Sequence, residues 1–359
     1  MALLEGKRIL ITGGTGSLGK TLVSRILTGE AGRPAKVIVF SRDEAKQHFM
    51  RTEYMHKANA TDDIIWHNFE RTLEFRIGDV RDPRSIGSAL RDADIVINAA
   101  AMKQVPACEY FPYEAVRTNI DGAENIVRAI QELRIPVETV VGVSTDKACK
   151  PVNTMGMTKA VQERIFIQAN MRSQDTRYVC VRYGNVLASR GSVIPHFHEQ
   201  IRNGGPVTIT TTDMTRFLLS LDQAVDTVLA ALEMAQPGET LVPRAPAARM
   251  VDVATVLIGD RSIRQVTTGI RPGEKIHEIM VSDEEAHRAI ERSNARGHWY
   301  AIRPMLPEVS ADAQGSGCLT AEYSSNDDVL DLEGTRDLLS RNDLLVQDVF
   351  TSPQGEMLR

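Results

Sequence analysis

Apolar residues in the first half of the chain fall into short unbroken runs, separated by stretches with helical spacing. Lys7 to Thr12 (KRILIT) is rich in branched aliphatics and ends in glycines, as a parallel strand buried on both faces does. Leu18, Leu22, Ile26 and Leu27 then recur at helical intervals across Ser17 to Leu27. Lys36 to Phe40 (KVIVF) predicts a second strand, the polar stretch Glu44 to Met55 a helix, and Leu73 to Ile77 a third strand. The pattern continues through Ile95 to Ala99 (IVINA), a helix over Ala115 to Leu133, and Thr139 to Ser144 (TVVGVS). It closes with a helix from about Met155 to Asn170 and the strand Tyr178 to Arg182 (YVCVR). Strands alternating with helices imply right-handed crossovers and an α/β fold with a doubly wound parallel sheet of the Rossmann kind.

Beyond Gly184 the regularity weakens. Pro195, Gly204-Gly205-Pro206, Pro237-Gly238, Pro246 and Pro272-Gly273 punctuate the chain and predict a smaller, loop-rich lobe. The expected division is 1–185 for the wound sheet, 186–350 mainly for the second lobe with a crossover back to the first, and 351–359 for a frayed tail.

Composition narrows the classes. A chain of 359 residues, 42% hydrophobic and 25% charged, has the make-up of a globular protein and exceeds the usual size of one domain. Lys+Arg 42 against Asp+Glu 47 leaves a net charge of -5, scattered along the chain, which argues against nucleic-acid binding. Cys108, Cys149, Cys180 and Cys318 show no CxxC spacing and read as reduced thiols. No window reaches the roughly 18–20 apolar residues of a membrane span, so a cytoplasmic protein is expected. His196, His198 and His277, the last beside Glu278, lack a third ligand at metal spacing; they are expected to be surface or packing residues, with no metal bound.

Thr12-Gly13-Gly14-Thr15-Gly16-Ser17-Leu18-Gly19 follows the first strand and opens the first helix. Gly13, Gly16 and Gly19 suit a tight turn, close approach to a pyrophosphate and close helix–strand packing, while the helix N-terminus favours anionic phosphates. A glycine loop alone is a weak signal, but its place in a strand–helix–strand unit predicts a dinucleotide site in which Thr15, Ser17 and Leu18 also take part. At the tip of the second strand, Ser41 and Arg42 favour the extra phosphate of NADP, although Asp43 keeps NAD open. Asp79 and Val80 are expected at the adenine edge, and Ala99 and Ala100, with Ala101, against the nicotinamide half.

The segments TGGTGSLG, FSRDEAKQ, GDVRD, NAAAMKQVPACEYFP, STDKA, MGMTK, RYGNVLASRGSVIP, MTRF and RPGEKIHE together resemble the extended short-chain dehydrogenase/reductase family. Within it the resemblance is to the nucleotide-sugar 4,6-dehydratases of bacterial polysaccharide and glycan biosynthesis, UDP-N-acetylglucosamine enzymes above all, and it spans nearly all of residues 6–345. The family implies a Tyr four residues before a Lys. Lys159 stands where the Lys belongs, but position 155 is Met, whose thioether is neither acid nor base. A subset of the resembled dehydratases carries Met there, and Tyr54, Tyr110, Tyr113 and Tyr183 lack the spacing to substitute.

The resemblance implies a closed redox cycle on a tightly bound NADP. Hydride leaves C4 of the sugar, the resulting ketone acidifies C5, water leaves from C6, and hydride returns to C6. Ser144-Thr145-Asp146-Lys147 ends a strand, where a doubly wound sheet keeps its ligands. On this reading Lys147 is the C5 base, Asp146 the acid for the leaving water, Thr145 a relay for the C4 proton, and Lys159 the holder of the nicotinamide ribose. A plain surface ion pair, or Asp146 acting alone, are the alternatives. In the second lobe the resemblance places Arg271 on the substrate diphosphate and Glu274 on the nucleoside ribose. Tyr183, Asn185, Arg190 and Arg216 are further candidate contacts, and Lys103 faces the hexose. The family also implies a homo-oligomer paired through helices 115–133 and 155–170. Two rival functions remain: a nucleotide-sugar epimerase, which needs no acid at C6, and a catalytically silent NADP-binding regulator, which needs neither Asp146, Lys147 nor Lys159.

Overall fold

The computed structural model describes residues 2–55, 71–173, 175–187, 189, 191–310 and 317–345. The first half contributes β1 (Arg8–Thr12), β2 (Lys36–Ser41), β3 (Leu73–Ile77), β4 (Ile95–Asn98), β5 (Thr139–Val143) and β6 (Arg177–Val181). Each matches the apolar run that predicts it. Except in the edge strand β3, LEFRI, the runs are unbroken because both faces are covered: Ile9 and Ile11 join one core with Val37, Val39 and Val141, while Leu10 joins the opposite core with Ile38, Val96 and Val140.

The second half adds β7 (Asn185–Val186), β8 (Val207–Ile209), β9 (Thr215–Leu219), β10 (Thr240–Pro243), β11 (Ala247–Arg249) and β12 (Gln265–Thr267). It ends with β13 (Ile279–Val281), β14 (Ala289–Asn294), β15 (Gly297–Ile302), β16 (Tyr323–Ser324) and β17 (Val329–Leu330). One nine-stranded sheet runs in the order β14-β15-β10-β6-β5-β4-β1-β2-β3, parallel except for the antiparallel pairs β10–β15 and β14–β15. Three strands from beyond residue 185 thus widen the sheet of the first half. A four-stranded sheet, β17-β11-β9-β7, stands beside a separate apolar cluster that includes Ile194, Phe197, Val253 and Leu257.

The order β3-β2-β1-β4-β5-β6 reverses direction between β1 and β4, and ligands of such sheets bind outside the carboxyl ends of the strands at that switch. The helices that serve the site are α1 (Ser17–Thr28), α2 (Glu44–Met55), α3 (Pro83–Leu90), α4 (Gly122–Glu132) and α5 (Thr154–Ala169). Two differ from the sequence expectation. The apolar pattern predicts no helix at α3, a short one started by the Asp82 side chain, which accepts from the Arg84 N–H, with Pro83 at its first position. The helix expected over Ala115 to Leu133 is interrupted, because Val116–Asp121 winds as a π-helix before α4 begins. That wider turn carries the fully buried Asn119, and such turns are frequent at functional sites. The tail 351–359 lies outside the described residues.

Candidate functional site

The glycine loop closes against the end of β4. Gly13 has φ +68, and a Cβ there would lie 2.8 Å from the Ala100 backbone nitrogen, so any side chain both strains the turn and fills the crevice. Thr12 donates its hydroxyl to Asn98 (2.7 Å) and accepts from the Ala100 N–H (3.2 Å), which ties the loop to the Ala99-Ala100 segment. Helix α1 starts after Gly16 with neither a side-chain cap nor an acidic residue in its first turn, so its N–H groups at Ser17 and Leu18 face the crevice end uncompensated. Changing Gly13 to Val should therefore lower nicotinamide-dinucleotide affinity about 100-fold or more, by a clash on the order of 3 kcal/mol, as titration of intrinsic fluorescence would show.

At the β2 tip, Ser41 Oγ lies within 3.3 Å of Thr15 and accepts from Gln47 (3.2 Å). Arg42 is half exposed, 3.7 Å from Asp79. Asp43 is committed elsewhere: one oxygen accepts from the Lys46 N–H at 2.9 Å at the start of α2, and the other pairs with the Lys46 ammonium at 2.7 Å. Asp79, expected at the adenine edge, is held by Arg81 at 2.7 Å; burial opposes its charge, yet Arg81 outweighs burial and keeps its pKa below the ordinary value. Val80 is buried against Gly122 at the start of α4.

The catalytic candidates meet at the carboxyl end of β5. Asp146–Ala148 forms one 3-10 turn, and Gly156 lets it sit on the first turn of α5, since a Cβ at Gly156 would lie 2.1 Å from the Lys147 carbonyl oxygen. Asp146 is fully buried, accepts from the Thr145 hydroxyl (2.8 Å) and pairs with Lys147 Nζ (3.0 Å); its other oxygen, Oδ2, has no hydrogen-bond partner. Lys147 Nζ also reaches Asn185 Oδ1 (3.3 Å) and Glu278 Oε1 (3.4 Å). Burial works against its ammonium, but the carboxylates of Asp146 and Glu278 prevail and raise its pKa above that of an ordinary lysine. The surface ion pair weighed above is thus excluded for Asp146, which is 0% exposed.

Met155 and Lys159 lie on one face of α5. Met155 is buried and packs with Cys108 and Ala115. Lys159 Nζ donates to the Val143 carbonyl (2.5 Å) and to Gln162 (2.6 Å), and burial lowers its pKa to about 8. Among the tyrosines, Tyr183 is buried with its phenol pushed up by that burial, while Tyr110 and Tyr113 are exposed. Behind this face Arg182 is buried between Glu163 and Glu285, and Ser144 donates its hydroxyl to Glu163.

Second-lobe residues divide. Asn153 accepts from the Gly156 N–H and donates to the Gly273 carbonyl (2.7 Å), which anchors the Arg271-Pro272-Gly273-Glu274 turn over the catalytic segment. Arg271 is exposed there, and Glu274 Oε2 is a buried acceptor without a partner. Lys103 follows β4 with its side chain reaching solvent, and partial loss of hydration at its ammonium lowers its pKa. Arg216, read as an anion contact, is instead buried with its terminal nitrogens spent on the carbonyls of Thr215, Lys275 and Ile276, so it is a clip under the 271–278 segment in this conformation. Arg190 lies outside the described residues. Of the histidines, His198 bonds the Leu344 carbonyl and His277 pairs with Thr215. Glu278, Asn119 and the Arg182 cluster escaped the sequence reading. Asn119 receives the Met102 N–H (2.8 Å) and donates to Thr158 (2.9 Å), which fixes the strand-end loop to α5.

Residues 9–297 match the model of a family described as polysaccharide biosynthesis protein. A "UDP-N-acetylglucosamine 4,6-dehydratase (inverting)" of Campylobacter jejuni is 42% identical over 313 residues, 86% of this chain and 86% of that protein. A "UDP-glucose 4-epimerase" of Rickettsia bellii is 41% identical over 357 residues, 96% of this chain and 98% of that protein. Among solved structures, Pen from Bacillus thuringiensis superposes with a TM-score of 0.82 at 32% identity, covering 95% of this chain and 99% of that one.

Proposed function

Because the chain belongs to the polysaccharide biosynthesis protein family, we propose that it is a nucleotide-sugar 4,6-dehydratase acting on UDP-N-acetylglucosamine with a tightly held NADP. The observation that carries this reading is the fully buried Asp146 paired with the partly exposed Lys147, with Thr145 hydrogen-bonded to Asp146 (2.8 Å). A 4,6-dehydratase needs a base for C5 and an acid for the C6 hydroxyl at one place, whereas a 4-epimerase needs neither. The likeness to a UDP-glucose 4-epimerase keeps that second reading in play; an acid–base pair whose carboxylate is fully buried favours the dehydratase.

In this scheme Thr145 passes the C4 hydroxyl proton to Asp146, and the bound nicotinamide supplies hydride acceptance at C4 and return at C6. Lys147 takes the C5 proton, and protonated Asp146 delivers its proton to the C6 hydroxyl as water leaves. Lys159, whose Nζ bonds the Val143 carbonyl and Gln162, would hold the nicotinamide ribose. For the cofactor, Ser41 and Arg42 support NADP over NAD, since the acidic neighbour Asp43 is already spent on Lys46. Arg271 and Glu274 take the diphosphate and the ribose of the sugar nucleotide, Tyr183, Asn185 and Lys103 line the hexose, and a homo-oligomer forms over the outward side of α5, where Met157 and Val161 are exposed.

Incubation with UDP-N-acetylglucosamine tests the reading: it expects a product lighter by one water, and an isomer of unchanged mass favours the epimerase. Met155→Leu conserves volume in the Cys108 and Ala115 cluster and removes no proton carrier, so its kcat should stay within about threefold of wild type. A loss of about 100-fold would give Met155 a part in the chemistry that its thioether does not explain.

A further inference from the structure

We propose that Glu278 is the proton store of this site, a positioning residue that acts through Lys147 and lets that ammonium become the neutral amine the C5 step requires. The inference rests on the dehydratase reading and deepens it.

Proton balance creates the need. C4 oxidation releases the hydroxyl proton, and C5 then gives up its own. One of these leaves with the C6 oxygen as water, and the other is replaced when C5 is protonated again after hydride return. Between those two events the site holds one proton more than at rest.

The candidates to hold it are few. Lys147 rests as an ammonium between two carboxylates, Asp146 at 3.0 Å and Glu278 at 3.4 Å, and it must shed that proton before it can act as a base. Asp146 is occupied, since it takes the C4 proton through Thr145 and must keep it for the C6 hydroxyl. Glu278 remains. It is 2% exposed, so its proton does not exchange freely with bulk water, and among the described residues its Oε2 has no hydrogen-bond partner. The other groups facing it are cations unsuited to accept a proton: Arg216 Nε at 3.9 Å and Lys275 Nζ at 4.0 Å. Asn185, the remaining polar neighbour of Lys147, has an amide that does not titrate.

The cycle then closes. With Asp146 protonated from C4, Lys147 passes its proton to Glu278. The free amine takes the C5 proton, Asp146 protonates the departing C6 hydroxyl, and hydride returns to C6. The Lys147 ammonium gives a proton to C5 of the enolate, and the proton on Glu278 then returns to the Lys147 amine, which restores the resting state. Backbone bonds hold Glu278 in place: its N–H donates to Ser325 Oγ (2.9 Å), and its carbonyl accepts from the Ser325 N–H (2.8 Å).

The test compares Glu278→Gln and Glu278→Asp with wild type, each with NADP bound and UDP-N-acetylglucosamine as substrate. The amide keeps the shape of the side chain but accepts no proton, so Lys147 must discharge to solvent. Glu278→Gln should lose about 30–100-fold in kcat near neutral pH with KM within about threefold, and its kcat should rise up to about tenfold per pH unit toward alkaline pH. Wild type, which moves the proton internally, should show no such rise between about pH 7 and about pH 9. Glu278→Asp should stay within about tenfold of wild type with the wild-type profile. Wild-type kcat and profile in the Gln variant overturn the store. Should that variant fail to fold, an Asp variant about 30–100-fold below wild type that keeps the flat wild-type profile overturns it as well. A wild-type enzyme that only isomerises the substrate removes the dehydratase reading, whereas a dehydrating wild type with an indifferent Gln variant removes the store alone.

Discussion

Replacing Lys147 by Ala is expected to lower kcat for dehydration by about 10²–10⁴-fold while the protein keeps its fold and its bound cofactor. Lys147 is the basic group that touches the buried Asp146 (3.0 Å), and among the described residues its other charged neighbour is the carboxylate Glu278, which cannot supply an amine at C5. Loss of a buried cation usually destabilises, because its carboxylate partners are left uncompensated. Here Arg216 and Lys275 still stand within 4.0 Å of Glu278, which limits that cost. The variant should still oxidise C4, since Thr145 and Asp146 are intact, so substrate should convert bound nicotinamide to its reduced form and leave it there. Near-ultraviolet absorbance of the reduced ring reads this directly. Wild-type turnover, or no reduced cofactor at all, would contradict the division of labour between Asp146 and Lys147.

The second large effect is on stability. Arg182 makes five hydrogen bonds: Nε to Glu163 (3.0 Å), one terminal nitrogen to the Met280 carbonyl (2.7 Å) and Glu285 (2.8 Å), and the other to Glu163 (2.6 Å) and Glu285 (3.0 Å). That matches the five N–H donors of a guanidinium, so each is satisfied. Arg182→Met leaves two buried carboxylates facing each other and should cost about 3–5 kcal/mol near neutral pH, read as a lower urea midpoint. Burial opposes the charge of Glu285, but Arg182 outweighs it and holds its pKa at about 2. A depressed carboxylate pKa contributes stability that is present above the unfolded value and is lost as pH falls through the folded one. The gap between wild type and variant should therefore shrink as pH drops from about 4.5 to about 2. A gap that stays constant over that window would mean that the loss is one of packing and not of charge pairing. The cluster also bears on the site: Ser144 and Arg182 immediately precede Thr145 and Tyr183, and the Tyr183 carbonyl accepts the Asp146 N–H at 3.0 Å.

Strands β1, β2, β4, β5 and β6 were legible in the sequence because a parallel sheet covered on both faces forces unbroken apolar runs, as in RILIT and TVVGV, whereas the edge strand β3, LEFRI, showed itself by alternation. Helix α3 was not, because eight residues with only Ile86, Ala89 and Leu90 as apolar markers show too little periodicity; its real signal was Asp82-Pro83 at the start. The π-turn at Val116–Asp121 leaves no mark in a pattern of apolar spacing, since it shifts the register by one residue and apolar positions resume in α4. At the site, Thr145, Asp146 and Lys147 were readable as neighbours in sequence at a strand end. Glu278 was not, because it reaches Lys147 across the interface between the halves of the chain and its own surroundings, KIHEIM, look like an amphipathic strand start. Arg182 was hidden in the same way, as the polar end of the apolar run YVCVR. Arg216 adds a role that only tertiary structure reveals: a residue type suited to phosphate also donates to three backbone carbonyls.

The account is tested most directly by turning over UDP-N-acetylglucosamine in D2O with wild type and with Lys147→Ala, and reading product mass and the C5 position by proton resonance. The account predicts a wild-type product lighter by one water that carries solvent deuterium at C5, and no such product from the variant. A wild-type product of unchanged composition that retains protium at C5 would contradict it.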